Sequence, residues 1–163
     1  RMKRLMFITS VLLASSPAAN AYDYVGKFND WAVYKDTVNG EAVCYATTEA
    51  NDKAPKSAQH GEVTFYVTYY RSQRTPQNSV RLAFNLREDL PAKAIVSRNS
   101  WKLFTVRNEA FADDSDERSI ANALKRGSEL KVEAMSERNT MVAYHFSLSG
   151  SANAIDKAQS LCS

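Results

Sequence analysis

Histidine, cysteine, glycine and long apolar runs are all scarce in this chain, and each scarcity removes a class of function. With only His60, His145, Cys44 and Cys162 available, neither H-x-x-x-H nor a paired-cysteine zinc spacing occurs. The five glycines are scattered, so there is no glycine-rich phosphate loop, and G-x-S-x-G is absent. C-x-x-C is missing as well, which argues against thiol redox chemistry. No catalytic residue, metal or cofactor is expected from these patterns. The apolar run Leu5–Ala14 falls well short of the roughly 20 residues that span a bilayer, and no later segment approaches that length.

What is present begins with compartment. Lys3 and Arg4 precede that apolar run, and Ala19-Asn20-Ala21 follows it as a small-x-small cleavage pattern. A charged start, a short apolar core and a small-residue exit make a secretory signal peptide over residues 1–21, with cleavage before Tyr22. Residues 22–163 are then expected to be a single exported domain, periplasmic, outer-membrane associated or secreted, with no transmembrane segment. Arg1, Lys3 and Arg4 account for the whole surplus of 21 basic over 18 acidic side chains. The remaining chain is therefore neutral, and nucleic acid is not an expected partner.

In an oxidising compartment two cysteines read as a disulfide, here Cys44–Cys162. Two free buried thiols or an intermolecular bond are the alternatives. An intramolecular bond would tie the end of the chain to an early strand.

Most of the sequence alternates with period two. Val63, Phe65, Val67 and Tyr69 alternate with polar or amphipathic residues over 61–71. Val80, Leu82, Phe84 and Leu86 do so over 77–87, and Val142, Tyr144, Phe146 and Leu148 over 140–148. Each predicts a strand with one packed face. Shorter candidates cover 31–35, 42–47, 93–96, 101–106 and 130–135. Asn39-Gly40 predicts a hairpin between the first two. Residues 50–60 lack periodicity and predict a loop. Two helices are expected. Asp114-x-x-Glu117 resembles a capping box ahead of Ile120, Ala121, Ala123 and Leu124, with Gly127 as a left-handed stop. Ser151 is placed to cap a helix carrying Ala154, Ile155, Ala158 and Leu161. Seven or eight short strands with two short helices point to a mainly β fold, a β-sandwich, with a barrel as the alternative.

Chemistry-bearing groups are few. His60 falls in the 50–60 loop, where a lone histidine is expected to be solvated; His145 falls on the wetter side of the last strand. A hydrolase built on either would need a nucleophile beside the imidazole. Ser149-Gly150-Ser151 reads as a strand end and helix cap, and the acids at 113–117 as helix-dipole partners. One surface suggests binding. Tyr66 and Tyr70 share the wetter face of one strand, Arg81 lies on the matching face of the next, and Arg71 and Arg74 sit in their connection. Tyrosine and arginine are enriched at protein-binding hot spots.

Several pieces together resemble the invasion-associated locus B family of small exported bacterial proteins. These are Phe28-x-x-Trp31, Val43-Cys44-Tyr45-Ala46, Leu103-Phe104, Ile120-x-x-Ala123-Leu124-Lys125-x-Gly127, Ser136-x-Arg138-Asn139-Thr140, and Tyr144-x-Phe146-Ser147-Leu148-Ser149-Gly150, closed by Cys162. Asn139 stands where the family usually has glycine, and both residues accept a left-handed turn. Ser151 stands where a large aromatic is usual. The resemblance implies an immunoglobulin-like β-sandwich and an exported protein linked in some pathogens to entry into host cells. The first expectation is therefore a non-enzymatic accessory or binding protein with a protein partner in the envelope or on a host cell. It supplies no catalytic residue. A chaperone-like envelope protein that binds strands along a sheet edge is the other non-enzymatic reading.

Overall fold

The computed structural model describes residues 22–163, so the expected signal peptide at residues 1–21 lies outside the described residues. The chain runs β1 (Asp23–Phe28), β2 (Trp31–Val38), β3 (Glu41–Glu49), β4 (Asp52–Ala54), β5 (Thr64–Tyr70), β6 (Gln77–Arg81), β7 (Ala92–Val96), β8 (Asn99–Val106) and β9 (Glu109–Ala112). A single 3-10 turn at Asp114–Asp116 leads into α1 (Glu117–Arg126), then β10 (Glu129–Met135), β11 (Met141–Ser147) and α2 (Ser151–Leu161). Among the described residues no helix is long and apolar enough to cross a membrane.

All eleven strands join one antiparallel sheet in the order β1-β2-β3-β5-β6-β9-β8-β7-β10-β11-β4. Its end strands do not pair with each other, so it is not a closed barrel. The sheet folds over instead, and its halves face across the core. Phe65 of β5 meets Phe146 of β11 edge to face, with ring centres 6.0 Å apart. The fold is thus mainly β with two short helices, as the strand count predicts, and its two layers belong to one sheet. The predicted inward sets are buried: Phe65 and Val67 on β5, and Tyr144 and Phe146 on β11, have no exposed surface. The core therefore follows directly from the period-two alternation.

The two conspicuous ends of the resemblance meet in space. The Trp31 indole donates to the Ser147 carbonyl at 2.9 Å, the Ser147 hydroxyl donates to Asp30 at 2.6 Å, and the Asp30 backbone N–H donates to the Ser149 carbonyl. Cys44 and Cys162 form the expected disulfide, fastening the residue after α2 to β3. A bond spanning 118 residues contributes about 4–5 kcal/mol by restricting the unfolded chain.

Local expectations fail where the chain bends or side chains turn inward. The 77–87 strand ends at Arg81. Beyond it Leu82 bonds to Asn108, and Arg87 to Met135 near the end of β10, so the segment leaves one half of the sheet for the other. Leu82 and Leu86 stay buried throughout, which is why the alternation hid the change of partner. The 50–60 loop contains the short β4, held by pairing with β11. Strands β1 and β9 carried no usable signal: one is an exposed edge and the other has four residues.

The capping box does not form. Asp113 caps the 3-10 turn through the Ser115 N–H, while Glu117 points inward. Gly127 is extended rather than left-handed, at φ −81°. Its requirement is space, because a β-carbon there would lie 2.5 Å from Val96. Gly150, not Ser151, is the N-cap of α2; it has φ 87° and sits so close to the Phe28 carbonyl that no side chain fits. Ser151 is buried, and its hydroxyl donates to the Leu124 carbonyl at 2.6 Å, joining α2 to the end of α1. Asn39 and Asn139 adopt positive φ, as expected for both hairpin turns.

Candidate functional site

The outer face of β2, β3, β5 and β6 gathers an unusual share of the aromatic side chains. Its origin is local. The Asn39-Gly40 turn pairs Val38 with Glu41, and counting outward in steps of two places Tyr34 opposite Tyr45. Their rings stack with centres 5.5 Å apart. The next strand contributes Tyr66, diagonal to Tyr45, at 6.1 Å. β6 then places the Arg81 guanidinium 5.2 Å from the Tyr66 ring centre. On the other side Tyr22 and Tyr24 meet Tyr34 edge-on at 5.5 and 5.6 Å. A continuous row thus crosses the strands from the sheet edge to Arg81.

From Tyr22 and Tyr34 through Tyr45 and Tyr66 to Arg81 the row lines an open groove of about 620 Å³, whose walls also include Tyr70, Asp36, Glu49 and Glu62. Arg81 also meets Glu109, Nε to Oε1, at 3.4 Å. Burial, followed by the nearby Asp36 charge, pushes the Tyr45 hydroxyl up to about 12, so it stays a neutral donor and acceptor. Of the residues singled out from sequence, Tyr66, Tyr70 and Arg81 share this groove. Arg71 is exposed in the β5–β6 turn, outside the groove lining. Sequence reasoning missed Tyr34 and Tyr45, although the Asn39-Gly40 turn held the register that pairs them.

The histidines lie elsewhere, and His60 corrects the expectation of a solvated loop residue. It is buried, with Nε2 donating to the Pro55 carbonyl at 2.7 Å. Its Nδ1 is thereby left to accept from the Tyr144 hydroxyl at 2.9 Å. Burial pushes that tyrosine hydroxyl up. His145 is half-buried and bonds Glu129 at 2.8 Å. The hydrogen bonds of the two imidazoles involve a carbonyl, a phenol and a carboxylate, with no serine, threonine or cysteine among them.

A second polar feature unseen in the sequence is Glu117, buried beneath α1. Its carboxylate accepts from the Asn78 backbone N–H at 2.7 Å and side-chain amide at 2.6 Å. Burial outweighs those bonds and pushes its pKa up to about 7. It holds α1 against β6.

Fold and face together define a class: a small antiparallel domain closed by a disulfide, whose distinctive surface is a sheet face rather than an enclosed cleft. Residues 31–159 match the family described as invasion associated locus B (IalB) protein, and the chain belongs to that family. The crystal structure of invasion associated protein B from Bartonella henselae shares the fold at a TM-score of 0.57 and 13% identity, covering 83% of this chain and 96% of that one. None of the curated proteins matches.

Proposed function

We propose that this protein is an exported, non-catalytic accessory or binding protein of the bacterial envelope that works by presenting the Tyr34–Tyr45–Tyr66–Arg81 face to a protein partner. The observation that carries the reading is the row itself. Aromatic rings and an arginine lie on a rigid sheet, with none of the described residues folded over them. Such side chains supply large contact area at low entropic cost and dominate binding hot spots. Family membership and a disulfide formed over 118 residues support an exported location, periplasmic, outer-membrane associated or secreted. A contribution to host-cell interaction is the finer form of this proposal, motivated by the name of the family.

The open edge at β1 favours the strand-binding alternative less. It is six residues long and is broken by a bulge between Tyr24 and Gly26, a device that discourages strand addition.

A photo-crosslinking residue at Tyr70 should yield a discrete adduct in intact cells, and one at exposed Lys102 on β8 should not. Alanine at Tyr66 and Tyr70 should weaken the captured partner by at least about tenfold, as for hot-spot residues. Equal adducts from both positions, or none from Tyr70, would discard the reading.

A further inference from the structure

The groove carries a charge imbalance that the chain as a whole does not. Asp36, Glu49 and Glu62 line it, and among the described residues none of the three forms an ion pair. Among the described residues the one cation in its lining is Arg81, already set against Glu109 and the Tyr66 ring. Residues 22–163 are neutral overall, so this is a local excess of negative charge, placed beside rings whose faces are themselves electronegative. Carboxylates flanking tyrosines suit an ammonium or guanidinium group, whose alkyl stem can lie on the rings while its head meets the acids. The groove crosses from β2 to β6, three strand spacings or roughly 14 Å, and runs along the strands from Asp36, beside Val43, to Glu49, six β3 positions or roughly 20 Å further on, a span of about six residues of extended chain.

We infer that this face takes an extended cationic segment of the partner polypeptide, with lysine or arginine side chains seated among Asp36, Glu49 and Glu62 against the tyrosine row. The inference rests on the partner-face reading above and adds the chemistry of the partner. An anionic surface, whether nucleic acid or acidic lipid, is repelled by the same three carboxylates. A neutral glycan, stacking on the rings and donating its hydroxyls to the carboxylates, would bind without the salt dependence of a cationic chain.

The test uses protein purified after export, titrated at low salt with octapeptides of alternating lysine and proline, glutamine and proline, or glutamate and proline. Tyrosine resonances and fluorescence report binding. The lysine peptide should bind saturably, the glutamine peptide more weakly and the glutamate peptide not at all. Affinity for the lysine peptide should fall as salt rises to physiological strength. The combined variant Asp36→Asn, Glu49→Gln, Glu62→Gln should lose about tenfold, the product of three exposed charge pairs worth a little over twofold each. An unchanged melting temperature shows that this variant is folded; if it unfolds, the three single variants and the salt dependence read the same quantity. Equal binding of lysine and glutamine peptides, an unaffected folded variant, or no saturable binding of the lysine peptide each overturns the inference. If Tyr70 still crosslinks in cells when the lysine peptide fails, only the cationic chemistry is lost. If crosslinking fails while the peptide binds, the partner-face reading falls instead.

Discussion

The two faces of β5 differ in what covers them, more than in what they are made of. Inward, Phe65, Val67 and Tyr69 are buried against β11 and α2, and Phe65 meets Phe146 across the core. Outward, Tyr66 and Tyr70 lie alongside Tyr45 and Arg81, with no second layer above them among the described residues. Aromatic residues thus stand on both faces of a seven-residue strand. The inner ones are fixed by packing from all sides, and the outer ones only by neighbours in their own sheet. The lesson is that inner aromatics support the fold, whereas outer ones are available to something else.

The comparison can be broken first at Cys44, whose side chain points inward while its neighbour Tyr45 points outward. The double variant Cys44→Ser, Cys162→Ser should lose about 4–5 kcal/mol in urea unfolding. Wild type in reductant should shift equally. An unchanged midpoint would mean that the bond does not hold α2 to the sheet.

A sharper contrast comes from adjacent residues. Phe65→Ala empties part of the core and should cost about 3–5 kcal/mol. Tyr66→Ala removes a half-exposed ring contact and an arginine contact, and should cost under about 1 kcal/mol. Equal losses in thermal melts would show that the outer row is structural.

Glu117 extends the inner side of the comparison to pH. Its pKa rises on folding from 4.5 to about 7, so the folded state holds that proton more tightly. Stability from this group is complete below about pH 4.5 and is lost as pH rises through about 7. The loss between pH 5 and 8 should be on the order of 1–3 kcal/mol, and Glu117→Gln should flatten it. Asp113, held below its usual 3.8 by the Ser115 hydroxyl and N–H, works in the opposite sense and only at more acid pH. Urea midpoints at pH 5, 6.5 and 8 for both proteins decide the matter; a wild-type curve flat over that range would place Glu117 ionised in the fold.

Smallest of all should be the stability effect of Arg81→Ala, within about half a kcal/mol, since its ion pair with Glu109 is exposed. A large drop in melting temperature would make Arg81 part of the scaffold.

Sequence reading succeeded where neighbours along the chain are also neighbours in space. The period-two runs of β5 and β11 identify their buried sides, and Asn39-Gly40 contains the Tyr34–Tyr45 pairing. It failed where the deciding partner is remote. His60 reads as a loop residue because the Tyr144 hydroxyl that buries it lies 84 positions away. Glu117 reads as a cap because Asn78, which turns it inward, is 39 positions upstream. Gly127 reads as a helix stop, whereas its necessity comes from Val96 pressing on the backbone.

The order of amino acids by itself determined the mainly β character, the inward and outward sides of the long strands, the two helices and the availability of a single intramolecular disulfide. Those properties follow from the pleat of a strand, the pitch of a helix and a count of thiols, none of which needs a distant partner. Only the tertiary structure decided that the tyrosines of four strands and Arg81 of a fifth form one row, and that three unpaired carboxylates share their groove. Beyond the Asn39-Gly40 hairpin, strand order and register across a folded-over sheet are set by the closing of the whole core, and no local pattern in the chain contains them.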